Sequence, residues 1–535
     1  MRSSMSNTEM PEDPLRLAHQ LLDAVLAAGV ELGAGVVLGR LAARLMRARH
    51  AHWSWCVVAL GPITLMRHVL GAGALVLACA ALTAALRGRR WHREDLTTGG
   101  DLATVAALRS SPLGAVLSAL RGLTGDLPLR DRGERRLTIG HDERRRAVRV
   151  PFAADRSGTH TLVVGATGSG KTVTQTAMAV AAIERGMGVI VIDPKGDAAM
   201  SRRLERAAAH AGRSFGEWTP AGDCVYNPYA SGSETEIADK VLAAEPFTEP
   251  HYLRQAQRYL GHAVRALRLA AREISLREIV ETLEPERLEL VARSLAEEES
   301  APIFAYLDSL TARQQRDLAG VRDRVAILVE SDVGPWLDPA AGRAPRIALP
   351  DAVRGRSVVY FRLEADSRPL LSKMLGAAIV QDLQTTVAGL QGRAVPTAVV
   401  IDEFSAVAAE QVVRLFGRAR SAGFSLVLGT QEISDLRLPG RERLLEQVMG
   451  NLSLLVAHRQ VVPASAETIA AVAGREGAWR VSCRSDGTTT RTRTTQPILD
   501  ATQIMGLGRG WAAVIPLGGN ARARITRIRR THERG

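Results

Sequence analysis

The stretch Gly165-Ala166-Thr167-Gly168-Ser169-Gly170-Lys171-Thr172 fits the pattern G-x-x-x-x-G-K-[ST] without a gap. Glycines let such a loop curl so that successive backbone N–H groups point at phosphate oxygens, and the helix that follows offers its positive N-terminal end. We therefore expect all eight residues to bind the phosphates of a nucleoside triphosphate. Lys171 would reach the β- and γ-phosphates, and the hydroxyl of Thr172 would hold Mg²⁺.

The residues on either side of this loop separate a phosphate site from a chance match. Thr161–Val164 is a short apolar run typical of a buried strand, and the Ala-rich segment Val173–Glu184 predicts a helix. The alternative is a glycine-rich turn without a ligand. The order of strand, loop and helix argues against that alternative.

Two further strands end in polar residues that suit a nucleoside triphosphatase. The apolar run Thr397–Ile401 is followed at once by Asp402 and Glu403, and the run Phe424–Leu428 leads to Gln431. We expect Asp402 to bind Mg²⁺, Glu403 to orient or deprotonate the attacking water, and Gln431 to sense the γ-phosphate. A surface acidic turn is the alternative for the carboxylates, but the phosphate loop in the same chain weakens it.

Several arginines are candidates for a finger that completes the ATP site of a neighbouring subunit. Arg414, Arg418 and Arg420 lie on the helix predicted before Phe424, and Arg459 follows the apolar run Leu452–Ala457. We assign Arg459 a catalytic role on this basis. For each arginine singly, a surface position or a salt bridge is the alternative.

Composition points to a polyanion or an anionic membrane as a partner. The chain has 535 residues, with 69 Lys and Arg against 56 Asp and Glu, a formal net charge of +13. A role in solubility alone is the other explanation of this charge. The four cysteines are scattered without a C-x-x-C pair, so we expect reduced thiols and no zinc site.

Two apolar stretches near the N-terminus predict a membrane anchor. Residues 21–39 are interrupted by Asp23 and Glu31, whereas Val69–Leu86 carries no charge and just reaches the length that crosses a bilayer. Arginines directly after Leu86 place the rest of the chain in the cytoplasm by the positive-inside rule. A two-span hairpin would put the arginines at positions 40–49 outside, against that rule. An interfacial first helix or a buried soluble hairpin are the alternatives.

These signals predict an α/β fold, a P-loop NTPase with a mainly parallel sheet, an inserted all-α subdomain and an N-terminal helical anchor. The expected divisions are an anchor region at 1–93 (apolar stretches 21–39 and 53–86), a linker at 94–150, the first part of the ATPase domain at 151–234, the all-α subdomain at 235–340 and the second part of the ATPase domain at 341–535. Residues 484–495 predict an exposed hairpin that contacts DNA or a neighbour, or is an ordinary surface hairpin.

The chain resembles the type IV coupling proteins of conjugation, the TraG/TraD group within the FtsK/HerA class of motor ATPases. The resemblance covers roughly Thr159 to Arg527. It is carried by the phosphate loop, D-P-K-G-D at residues 193–197, Y-N-P-Y at residues 226–229, Asp402-Glu403-Phe404 and Gly429-Thr430-Gln431. The D-P-K-G-D and Y-N-P-Y turns are much more specific to this family than the phosphate loop is, although Asp197 stands where the family usually has glutamate.

The resemblance implies that the P-loop domain is RecA-like. It also implies a homo-hexameric ring at the inner membrane of a bacterium that hydrolyses ATP with Mg²⁺ between its subunits. It implies transfer of single-stranded DNA, or of a relaxase bound to DNA, to a type IV secretion channel. A double-stranded DNA pump of the FtsK type is the first alternative. A scaffold switched by nucleotide without turnover is the alternative of another class.

Overall fold

The structure is a computed structural model that describes residues 14–48, 53–71, 73–98, 136–152, 158–220, 222–243, 249–338, 345–390, 392–407, 409–437, 443–483, 489–518 and 522–529. The chain divides into two compact units. One comprises Met1–Arg130 with Glu476–Gln496, and the other, here called the motor unit, comprises Asp131–Arg475 with Pro497–Gly535.

An eleven-stranded sheet forms the centre of the motor unit. The strands of the chain are β1 Arg136–Asp142, β2 Ala147–Pro151, β3 Thr161–Val164, β4 Gly188–Asp193, β5 Phe215–Trp218, β6 Val225–Tyr226, β7 Arg346–Ile347, β8 Val358–Arg362, β9 Thr397–Ile401, β10 Phe424–Thr430, β11 Leu454–Ala457, β12 Arg475–Cys483, β13 Thr489–Pro497, β14 Trp511–Pro516 and β15 Arg524–Ile528. The order in the large sheet is β2-β1-β15-β14-β11-β3-β10-β9-β4-β8-β5. The seven strands from β11 to β5 are parallel, and the four from β14 to β2 join antiparallel.

The helices of the described residues are α1 Pro14–Ala48, α2 Ser54–Leu65, α3 Arg67–Leu70, α4 Gly73–Thr98, α5 Lys171–Glu184, α6 Ala198–His210, α7 Glu234–Leu242, α8 Pro250–Leu269, α9 Leu276–Thr282, α10 Pro285–Ala292, α11 Glu297–Asp308, α12 Ala312–Glu330, α13 Leu349–Arg354, α14 Pro369–Gly389, α15 Phe404–Val407, α16 Ala409–Ala419, α17 Leu444–Asn451, α18 Pro463–Ala473 and α19 Ala501–Met505.

The buried strands explain why continuous apolar runs mark this sheet. All six residues of β4 are buried, and its alternate side chains enter two different cores. Val189 and Val191 pack on one face, whereas Ile190 and Ile192 pack on the other. A parallel strand covered on both faces therefore needs apolar residues at every position. The mainly parallel α/β fold predicted from the sequence is confirmed.

The segment 94–150 was predicted as a linker, and this is wrong for its last part. Residues 136–150 form β1 and most of β2, which extend the large sheet through pairing of β1 with β15. Val148 and Val150 are buried on either side of the exposed Arg149. Arginines between and within the two strands interrupt their short alternation of buried and exposed residues, so the sequence did not indicate these strands. Residues 99–135 of the expected linker lie outside the described residues.

Helices α7 to α12 fill the region between β6 and β7, and the described residues 234–243 and 249–338 contain no strand. Their apolar faces join the core of the sheet, since Ile237, Tyr259 and Leu260 belong to the same buried cluster as Ile190 and Ile192. The helices therefore cover the sheet rather than forming a separate core.

In the N-terminal unit, α1 is continuous through Asp23 and Glu31. Its segment Leu22–Met46, 25 residues long, is long and apolar enough to cross a membrane, and an 18-residue window in it has a mean hydropathy of 1.7. The stretch Val69–Leu86, predicted as the uncharged span, is interrupted instead. α3 ends at Leu70, Gly71 adopts a positive φ of 53°, and α4 starts only at Gly73.

Helices α1 and α4 run in the same direction. A Cβ on Gly35 would lie 2.7 Å from Cβ of Cys79, and one on Gly39 would lie 2.6 Å from both the carbonyl oxygen of Ala80 and Cβ of Thr83. An advance of four residues along α1 is therefore accompanied by an advance of about four residues along α4, as expected for two parallel helices. In the same unit β12 and β13 pair in a two-stranded sheet. The hairpin predicted at 484–495 corresponds to these strands in part, and residues 484–488 lie outside the described residues.

Candidate nucleotide-binding site

The phosphate loop joins the end of β3 to the start of α5. Gly168 and Gly170 have φ values of 76° and 116°, which only glycine adopts readily. Three backbone hydrogen bonds fasten the loop to the sheet edge: Gly165 N donates to Thr430 O at 3.2 Å, Ala166 N to Arg459 O at 3.0 Å, and Gly510 N to Ser169 O at 3.0 Å. The loop is therefore built on the ends of β10 and β11 and on the turn before β14.

Lys171 lies against the two carboxylates that follow β9. Its Nζ donates a close hydrogen bond to Asp402 and lies 3.6 Å from Oε2 of Glu403. Glu403 has a φ of 49°, and its backbone N–H donates to Asp402 Oδ1 at 3.1 Å. A non-glycine residue in this region is held by its surroundings at some cost, a feature frequent at functional sites. The tight turn brings both acidic side chains to one ammonium group.

The groups at this edge fit a Mg²⁺ nucleotide. Thr167 and Gly168 are exposed at the tip of the loop, and a Cβ on Gly168 would meet no atom within 4 Å. The described residues contain no group of three or more His, Cys, Asp or Glu side chains suited to a metal. Mg²⁺ commonly takes only one or two protein ligands beside phosphate oxygens and water, so Thr172 and Asp402 suffice.

The D-P-K-G-D turn presents a second lysine to Glu403. Asp193 Oδ1 accepts from the backbone of Lys195 at 2.9 Å, and the Tyr360 hydroxyl donates to Asp193 Oδ2 at 2.5 Å. Asp197 caps the start of α6 by accepting from two of its backbone N–H groups. Lys195 Nζ then lies 3.3 Å from Glu403 Oε2. Sequence reasoning used this turn only as a family mark and assigned Lys195 no role.

Gln431 lies over the phosphate loop, since its Oε1 is 3.5 Å from Oγ1 of Thr167. The preceding residue, Thr430, has its hydroxyl 3.4 Å from Glu403 Oε1 and 3.2 Å from Asp435 Oδ2. One hydroxyl proton serves only one of these acceptors at a time. The structure thus brings Lys171, Asp402, Glu403 and Gln431 together at one sheet edge.

Arg459 borders the phosphate loop of its own chain through its backbone carbonyl, and its side chain is exposed. Arg414 and Arg418 are also exposed on α16, whereas the guanidinium of Arg420 donates to the carbonyl of Asn451. Arg420 is therefore engaged in holding its own fold. The finger role of Arg459 stays a prediction.

Sequence reasoning missed His458, which is fully buried beneath the loop. Its Nδ1 lies 3.0 Å from Trp511 O and its Nε2 lies 2.8 Å from Thr174 Oγ1. A carbonyl only accepts, so the proton sits on Nδ1 and Nε2 accepts from Thr174. Burial lowers the pKa of His458 to about 4, with a further contribution from Lys171. The sequence signal that could have identified His458 is its position directly after the apolar run that forms β11.

Gln175 was missed as well. Its side chain is fully buried on α5, one turn after Lys171, and neither amide atom has a hydrogen-bond partner among the described residues. A Cβ on Gly429 would lie 2.4 Å from Gln175 Nε2 and 2.7 Å from Asp402 Oδ1. The bare glycine therefore lets the amide approach the carboxylate that is expected to hold Mg²⁺.

Comparison with protein families gives two matches. Residues 137–331 match the central domain of the helicase HerA, and residues 396–509 match the TraM recognition site of TraD and TraG. A curated relative, the type 4 coupling protein DotL of Legionella pneumophila, is 29% identical over 124 residues. That match covers 20% of this chain and 16% of DotL, so the chain spans about a sixth of the curated relative.

Solved structures share the fold. The bacterial conjugative coupling protein TrwBdeltaN70 aligns with a TM-score of 0.57 and 18% identity, covering 78% of this chain and 92% of that one. TrwB in complex with the non-hydrolysable ATP analogue ADPNP aligns with a TM-score of 0.55 and 17% identity over the same shares. TrwB with ADP and Mg²⁺ gives a TM-score of 0.53 and 17% identity, with 71% and 87% covered. The two family matches and the curated relative, together with the shared fold, support a type IV coupling protein of the TraG/TraD group with a P-loop domain of the HerA class.

Proposed function

We propose that this protein is an ATP-driven DNA translocase that acts as the coupling protein of a conjugative or type IV secretion apparatus. The observation that carries the proposal is the convergence of Lys171, Asp402, Glu403 and Gln431 on the phosphate loop. A nucleotide switch without turnover needs no carboxylate beside Lys171 to act on water. Glu403 therefore favours hydrolysis over a pure scaffold.

In the proposed reaction Lys171 leaves the carboxylates and binds the β- and γ-phosphates, while residues 165–170 hold the phosphate oxygens through backbone N–H groups. Thr172 and Asp402 hold Mg²⁺, which supplies positive charge to the phosphate oxygens during transfer. Glu403, released from Lys171, orients the attacking water and accepts its proton. Gln431 senses the γ-phosphate and couples its presence to the segment that follows β10.

The substrate and partners are part of the proposal. The net charge of +13 suits DNA phosphates. The coupling-protein family and the match to the TraM recognition site of TraD and TraG support a relaxase or relaxosome and a secretion channel as partners. We further propose a homo-hexameric ring at the cytoplasmic membrane, with α1 as anchor, the motor unit in the cytoplasm and Arg459 as a candidate finger between subunits.

The test is ATP hydrolysis by the full-length protein in detergent with no DNA, single-stranded DNA or double-stranded DNA. Lys171→Ala serves as the blank. We expect hydrolysis in the wild-type protein, stimulation mainly by single strands and a decline of DNA binding with rising salt. Stimulation mainly by duplex would favour the FtsK-type pump instead. Tight ATP binding with no hydrolysis above the blank would contradict the enzyme and favour the scaffold.

A further inference from the structure

The N-terminal helices expose an unusually large apolar surface. Most of the exposed large hydrophobic side chains of the described residues lie between Leu22 and Leu86, on α1, α2, α3 and α4 and in the turn at Met66. Only 11% of the apolar window in Leu22–Met46 is buried. At 1.5 Å per residue this segment is about 38 Å long, enough to cross a hydrocarbon core of about 30 Å. Lipid is the occupant that matches this length and this exposed apolar surface.

The helix packing fixes where the charged ends lie. Because α1 and α4 are parallel, Arg40 and Arg44 near the end of α1 stand at the same end of the unit as the arginines at positions 87, 89 and 90 of α4. Ala43 of α1 shares a buried cluster with Ala84 and Ala85 of α4. We call this the arginine end.

Helix α2 begins at the arginine end and runs away from it. Sγ of Cys56 lies 3.1 Å from Sδ of Met46, and a Cβ on Gly88 would lie 2.6 Å from Cβ of Trp53. Segments α2, α3 and α4 therefore form a hairpin that starts and finishes at the arginine end. Trp53 and Trp91 pack on the cluster there, as aromatic residues do at a membrane interface.

The opposite end carries little positive charge. Arg16 of α1 and Arg67 of α3 are its two arginines among the described residues, while Asp23 lies in the N-terminal half of α1 and Glu31 lies at its middle. The positive-inside rule counts lysines and arginines near the membrane surface, so the five arginines named at the arginine end outweigh the two at the opposite end. An antiparallel pair of α1 and α4 would have split the arginines between the two sides. The parallel pair removes that conflict.

We propose that the arginine end faces the cytoplasm and that the N-terminal end of α1 lies on the other side of the membrane. α1 crosses the bilayer inwards, and α2 to α4 enter and leave at the cytoplasmic face. This topology rests on the membrane anchoring proposed above, and it differs from a two-span hairpin, which would place both ends of the anchor in the cytoplasm.

Cysteine labelling in cells tests the topology of the full-length chain. In a background with its four cysteines replaced by serine, His19→Cys reports the start of α1 and Thr97→Cys the end of α4. We expect a membrane-impermeant maleimide to label His19→Cys from outside, and Thr97→Cys only after lysis. Labelling of His19→Cys only after lysis, in protein that resists carbonate extraction, would overturn the topology and leave the anchoring intact. Protein that carbonate extracts would overturn both.

A cross-link tests the helix direction without reference to the membrane. In the same background, Ala43→Cys with Ala84→Cys should form an intramolecular disulfide on mild oxidation. The matched control, Ala43→Cys with Ala74→Cys, separates the two positions by about 15 Å along α4, beyond the reach of a disulfide. A cross-link in the control and none in the first pair would overturn the parallel arrangement.

Discussion

Two buried lysine–aspartate pairs in the motor unit differ in what surrounds the ammonium group. In the pair Lys240–Asp382 the side chains are 0% and 3% exposed, and in the pair Lys171–Asp402 they are 7% and 10% exposed. Both take two charges out of water, which costs free energy unless other groups compensate. The compensation is nearly complete for Lys240–Asp382 and slight for Lys171–Asp402.

Lys240 is surrounded by acceptors. Its Nζ donates to the carbonyls of Pro228 and Ser231 at 2.9 and 2.6 Å and to Asp382 at 2.7 Å. The other oxygen of Asp382 accepts from the Tyr226 hydroxyl at 2.8 Å. Burial lowers the pKa of Lys240, and Asp382 opposes this effect. Tyr226 thus ties the Y-N-P-Y turn to α14 through Asp382, so this motif, one of the two that carry the resemblance most specifically, has a structural role.

Lys171 has no such set of partners. In the described part of the chain its ammonium group contacts only the carboxylates of Asp402 and Glu403. Each of these three groups has another role in the proposed reaction: Lys171 binds phosphate, Asp402 holds Mg²⁺ and Glu403 acts on water. A buried ion pair whose hydrogen-bonding groups are all satisfied stabilises the fold. A buried ion pair with few additional hydrogen bonds is able to exchange partners. The following variants test that distinction.

The largest effect is expected from Lys240→Met. It leaves Asp382 buried without its counter-charge, so the free energy of unfolding should fall by about 3–5 kcal/mol. Denaturant unfolding followed by circular dichroism measures the loss. Lys171→Met is the matched control and should cost clearly less, because its carboxylates lie at the open edge of the sheet. Equal losses would show that the two pairs do not differ. The double variant Lys240→Met with Asp382→Leu should recover part of the stability.

Acid should destabilise the fold through the buried His458 beneath the phosphate loop. The pKa of His458 is about 4 in the folded protein, against an ordinary value of 6.5 for a histidine in an unfolded chain, so the unfolded chain takes up its proton first as pH falls. The stability from this residue is full above about pH 6.5, and it is lost progressively down to about pH 4, by about 3 kcal/mol in total. His458→Gln should flatten that part of the stability profile. An unchanged profile would contradict the buried neutral histidine.

Glu403→Gln should lower the rate of ATP hydrolysis by about 100-fold or more, because the amide no longer accepts a proton from water. Binding of a fluorescent ATP analogue should persist, since Lys171 and the loop are unchanged. Lys195→Ala is the comparison variant at the same carboxylate, and it should alter the rate less. Undiminished hydrolysis by Glu403→Gln would remove Glu403 from the chemistry.

The smallest effect is expected from Gln175→Leu. When Lys171 turns to the phosphates, the buried amide of Gln175 is the nearby donor that would steady Asp402. Its loss should raise the Mg²⁺ concentration for half-maximal hydrolysis by about tenfold, a typical cost for a group behind a metal ligand. The rate at saturating Mg²⁺ should change little. A lower maximal rate with an unchanged Mg²⁺ dependence would assign Gln175 to packing.

The positions of the central strands and of the main site residues could be read from the sequence. Continuous apolar runs predicted β3, β9 and β10, and parallel strands bring their carboxyl ends to one edge. Lys171, Asp402 and Gln431 follow from that rule because each comes directly after such a strand or loop. Strands β1 and β2 escaped notice because arginines interrupt their short alternation.

By itself the sequence determined the phosphate loop, the order of the central strands and the family resemblance, because these depend on local spacing and on residues adjacent in the chain. Only the tertiary structure decided which charges meet. Lys195 and Glu403 are 208 residues apart, and Lys240 and Asp382 are 142 apart. It also decided that α1 and α4 are parallel, since hydropathy reports the length of an apolar helix and not the direction of its neighbour. Contacts between distant segments arise when sheet and helices pack, and no local pattern encodes them.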